Sequence, residues 1–144
     1  MMVLSVMHLL NYHQELRVNA MDLSNWDEYK TEYFKSEAEL IFWEILNNVF
    51  NEPIPRFSDL LERAINGHGY TVYEGLGYSL YNDNDESKEY PYVLIYCGDF
   101  TYQLKVNKFL NLLKYACNYY SLMHKESRLL IDNLYKKLTN SIGP

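Results

Sequence analysis

Alternation of apolar and polar positions over Tyr70–Tyr81 predicts a strand. Tyr70, Val72, Leu76, Tyr78 and Leu80 fall on one face, and Thr71, Tyr73, Ser79 and Tyr81 on the other. Gly75 and Gly77 share that second face, where a missing side chain marks a bulge, a bend or the close approach of another backbone. The run Tyr90–Cys97 is more evenly apolar and suits a strand covered on at least one side, with Pro91 near its start, where a lost N–H costs little. Phe100–Leu104 follows after only Gly98 and Asp99, and a two-residue connection with glycine first has the chemistry of a type II′ hairpin. These runs predict three antiparallel strands in the order 1-2-3. Directly after them Val106, Phe109, Leu113, Ala116, Cys117 and Tyr120 recur at helical spacing, so Val106–Met123 reads as a helix laying an apolar stripe on one sheet face.

The N-terminal half reads as helical. Ser24 followed by Asp27 suggests a cap for one or two turns over Trp26–Phe34, and Ser36 with Glu39 forms a better capping box opening Glu37–Phe50. Apolar residues cover much of the circumference of that second helix, which predicts deep burial, and Pro53 and Pro55 end the region. Ser58 is placed to cap a short helix, Asp59–Asn66, that Gly67 stops. The last helix, Lys125–Thr139, turns Leu130, Ile131, Leu134 and Leu138 inward and Lys136 and Lys137 outward. The expectation is one α+β domain over residues 1–144, a three-stranded antiparallel sheet packed against several helices, with 1–21 a short extension or helix.

At 144 residues and 48% hydrophobic, the chain can bury one core. Met1–Leu10 is apolar but lacks a basic flank and a small-residue cleavage site, and it is too short to span a bilayer; no membrane association is expected. Cys97 and Cys117 have no disulfide or metal-knuckle spacing and suit reduced, semi-buried thiols in a cytoplasmic protein. The net charge of −6 is unevenly spread: Asp22–Arg63 holds ten acids and four bases, and Asn82–Asp99 holds five acids against Lys88. Such a surface repels nucleic acid and attracts a basic protein.

Catalytic constellations are not legible. His8, His13, His68 and His124 stand on separate elements without a metal-ligand spacing, and Gly67, Gly69, Gly75 and Gly77 form neither dinucleotide fingerprint nor P-loop. Asn82–Glu86 lacks the central glycine and closing glutamate of a calcium loop. No cofactor or metal is expected, and the chain reads as a binding protein and not an enzyme. A small hydrolase or nuclease using His68, Glu74 and Asp99 is the competing enzymatic reading, and a homodimerising module is the other.

Tyrosine is the compositional anomaly, 15 in all with eleven between Tyr70 and Tyr120. Tyrosines left outside a core supply rigid contact area with a polar tip, as recognition surfaces do. The order from Gly67 onward resembles the ribonuclease-toxin immunity proteins of bacterial contact-dependent growth inhibition systems. The resemblance lies in Ala64-Ile65-Asn66-Gly67, a Gly-Tyr strand, the acidic stretch Asp83–Glu89, the strand pair Tyr92–Leu104, and the run from Asn107-Lys108-Phe109-Leu110 through Leu113-Lys114-Tyr115-Ala116-Cys117 to Tyr120. It covers about half the chain and is a packing signature. It implies a cytoplasmic monomer that forms a heterodimer with a cognate toxin nuclease, one candidate class being EndoU-type, and blocks its active site. The residue reading independently places the contact surface at Tyr73, Glu74, Tyr78, Tyr81, Asp83, Asp85, Glu86 and Glu89.

Overall fold

The computed structural model describes residues 25–51, 56–83 and 92–142. Their order is α1 (Trp26–Tyr33), α2 (Glu37–Phe50), α3 (Phe57–Ile65), β1 (Tyr70–Tyr73), β2 (Leu76–Ser79), β3 (Tyr92–Cys97), β4 (Phe100–Lys105), α4 (Val106–Met123), a 3₁₀ turn (Lys125–Ser127) and α5 (Arg128–Ile142). The strands form one four-stranded antiparallel meander, β1-β2-β3-β4. The fold is α+β.

The sheet therefore has four strands and not three, because Tyr70–Tyr81 is a hairpin turning at Glu74-Gly75, with Gly75 at φ +86°. A two-residue turn alone would pair Thr71 with Tyr78 and invert the alternation. A bulge between Thr71 and Tyr73 restores it, so that Tyr70 opposes Tyr78 and Thr71 opposes Gly77. Even-numbered apolar residues consequently face inward on both arms, and only Tyr73, past the bulge and beside the turn, departs from the alternation by opposing Leu76.

Helices α2 and α4 pack on one face of the sheet. There Phe42 from α2 and Phe109 from α4 meet the ring of Tyr78 at 5.6 and 5.3 Å, over a layer of Val93, Ile95 and Leu104 that are all buried. α2 opens on the anticipated capping box: Glu39 N donates to Ser36 Oγ, and Glu39 Oε1 accepts from Ser36 N. α1 is capped by Asn25, whose side chain accepts from Asp27 N; Ser24 lies outside the described residues. Trp26 stacks on Trp43 at 5.8 Å, and the Trp43 indole donates to the Trp26 carbonyl.

α3 begins at Phe57 because that ring belongs to the core, two residues ahead of the expected start. It ends in a Schellman motif on Gly67 (φ +79°): His68 N donates to Arg63 O and Gly67 N to Ala64 O, both at 2.9 Å. α4 has the predicted limits and buries Phe109, Leu113, Ala116, Cys117 and Tyr120. In α5, Ile131, Leu134 and Leu138 face inward as expected, but Leu130 is exposed.

Candidate protein-binding surface

Two turns meet at one end of the meander. Glu74-Gly75 joins β1 to β2, Gly98-Asp99 joins β3 to β4, and Gly98 N donates to Gly75 O at 2.7 Å. Gly75 and Gly98 both hold positive φ, +86° and +61°, a region that disfavours other side chains, so the sequence locks this end locally. Register then sets four side chains in a row across the strands: Tyr73 opposes Leu76, Leu76 opposes Cys97, and Cys97 opposes Phe100. Opposed residues share a face, here the one that α2 and α4 cover further in. Leu76 is buried, whereas Cys97 is exposed and Tyr73 and Phe100 are 59% and 67% exposed.

Of the sequence-predicted contact residues, Tyr73 and Glu74 lie at this end and are exposed. Tyr78 does not belong to an open face: at 1% exposure it fills the core between Phe42 and Phe109. Burial pushes its phenol pKa well above the ordinary value, and neighbouring Tyr70 adds to the shift. Tyr81 is half-buried against the α3 terminus, where a Cβ on Gly67 would stand 2.6 Å from its ring. Tyr73, Tyr78 and Tyr81 thus form no common surface.

Asp83 is an internal fastener. Its Oδ2 accepts from Gly69 N at 2.8 Å and Leu80 N at 2.7 Å, and Oδ1 lies 3.0 Å from His68 Nδ1. Asn82 joins the same seam, its amide donating to Gly67 O and its side chain to Asn66 O. Asp85, Glu86 and Glu89 fall outside the described residues.

The enzymatic trio is not brought together. His68 precedes β1 and Glu74 follows it, so the strand's length separates them, and His68 is engaged by Asp83. Among the described residues, no three His, Cys, Asp or Glu side chains gather as a metal site, and no helix is long and apolar enough to cross a membrane.

The helix-free side of the described sheet has its own tyrosine. Tyr96 lies across Gly77, where a Cβ would stand 2.7 Å from its hydroxyl, and that hydroxyl hydrogen-bonds Thr71 Oγ1. Sequence reasoning missed Phe100 and Cys97 as surface residues, because both fit the inward parity of their strands. The available signal was their position beside the Gly98-Asp99 turn, at the margin of what a helix can cover. Compared with known proteins, the chain matches no family model, no curated protein and no solved structure.

Proposed function

We propose that this chain is an immunity protein that binds the basic nuclease domain of a contact-dependent growth inhibition toxin and neutralises it by covering its active site. It acts in the cytoplasm as the non-enzymatic half of a heterodimer and needs no cofactor. A nuclease is cationic where it grips RNA, and an inhibitor of that surface works best with carboxylates and aromatics. The observation that carries the reading is an acidic chain, net −6, presenting a hydrogen-bonded turn with Tyr73 and Glu74 exposed side by side. The resemblance from Ala64 to Tyr120 points to the same class.

The test is to purify the chain with the nuclease domain encoded immediately upstream of its gene and to follow RNA cleavage as the chain is titrated in. Stoichiometric loss of cleavage is the expected result. An upstream gene without a nuclease domain, or cleavage unaffected by excess protein, would reject the reading.

A further inference from the structure

The row Tyr73–Leu76–Cys97–Phe100 is an apolar ledge that the helices leave bare at both ends. Its border is acidic. Glu74 and Asp99 occupy the two turns and are exposed, and the segments Tyr73–Leu76 and Cys97–Phe100 contain no lysine or arginine. One row inward, opposite Ile95, Tyr102 has its phenol pKa raised by desolvation and then by the Glu37 carboxylate beside it, which places a third acid from the start of α2 near the ledge.

We infer that this ledge is the docking element of the chain and that its occupant is an arginine-bearing loop or strand of the basic nuclease domain, an assignment that rests on the function proposed above. An arginine side chain matches both parts of the surface. Its aliphatic stem covers Leu76 and Cys97, its guanidinium stacks on the Tyr73 or Phe100 ring, and the flanking carboxylates receive its charge. Nucleic acid is excluded as occupant by the same carboxylates. The Gly98 N to Gly75 O bond holds the ledge in shape before binding, so little ordering is required when the partner arrives.

Cys97 sits inside the ledge and reports its occupancy. The other thiol, Cys117, is buried, and burial pushes its pKa far up, with Asp132 adding to the shift; it stays silent to alkylation. The experiment measures iodoacetamide labelling of Cys97 with and without the upstream-encoded nuclease domain, beside the affinity of wild type, the Tyr73→Ser/Phe100→Ser double variant and a Leu129→Ser control. Leu129 is 74% exposed on α5, away from the ledge.

The expected result is protection of Cys97 in the complex, with affinity lowered at least about thirtyfold by the double variant, the equivalent of ~2 kcal/mol, and unchanged by the control. Because Tyr73 and Phe100 are exposed, the double variant folds, and Cys97 protection in the wild type tests the site without any substitution. A wild type that binds and inhibits while Cys97 reacts at its free rate and the double variant keeps its affinity overturns the ledge and leaves the proposed function standing. No binding by wild type overturns both. Protection that grows with the chain's own concentration in the absence of nuclease makes the occupant a second copy and also overturns the assignment.

Discussion

The Asp83 carboxylate accepts a hydrogen bond from the amide of Gly69 at 2.8 Å, tying the exit of the β1–β2 hairpin to the segment that enters it. Gly69 is buried, and a Cβ there would lie 1.8 Å from Tyr78 O, so its amide cannot turn to solvent without moving the strand. Asp83→Ala therefore leaves buried donors unmatched and lowers stability by about 1.5–3 kcal/mol. Urea denaturation checks it; an unchanged midpoint would show the seam to be dispensable.

Removing the acids that follow Asp83 in the sequence tests steering instead. Asp85→Ser, Glu86→Ser and Glu89→Ser, with Asp83 kept, slow association with a basic nuclease domain by up to about tenfold at low salt and flatten its salt dependence. Surface-binding kinetics at two ionic strengths measure both, and equal slopes for wild type and variant would make the stretch a passive connection.

Leu113→Ala lowers stability by roughly 2–5 kcal/mol, because Leu113 is fully buried on the α4 stripe and truncation leaves a cavity. The same urea series measures it.

Tyr78 makes stability sensitive to alkali. Its folded pKa lies above the ordinary 10.0, so the contribution of the neutral phenol is complete below pH 10 and is lost as pH rises beyond it toward the folded value. Its hydroxyl has no hydrogen-bond partner among the described residues. Tyr78→Phe is therefore expected to be neutral or stabilising at pH 7 and to decline less steeply above pH 10. Thermal melts from pH 7 to 11 decide it, and identical slopes would remove Tyr78 from the alkaline transition.

Helices were legible where end signals and apolar stripes coincided. Ser36 with Glu39 and the Val106–Tyr120 repeat fixed α2 and α4, since caps and spacing are local chemistry. The hairpin at Gly75 was not, because the bulge after Thr71 cancels the parity change of a two-residue turn, and only the glycine's positive φ distinguishes the two cases. Tyr73 and Glu74 could be placed at the surface from sequence, while Tyr78 could not be placed in the core, since tyrosine suits either side of a sheet. Asp83 read as a free charge because its three partners come from residues before β1 and after β2, which meet only when the hairpin closes. Leu130 shows the same limit at α5: its apolar side chain and helical position suggest the core, yet it is exposed while Ile131, Leu134 and Leu138 are buried.

Lys105 is both the last residue of β4 and the N-cap of α4, so no linker separates the sheet from the helix that covers it. On a ribosome, α2 emerges before the first strand and α4 immediately after the last. The meander pairs each strand with the one just synthesised, and the nascent sheet is left half-covered only for the time needed to translate one helix. At about 5–20 residues per second, that interval is on the order of seconds. A chain built this way leaves the apolar face of its sheet uncovered only briefly, which shortens the window in which unpaired strands can aggregate.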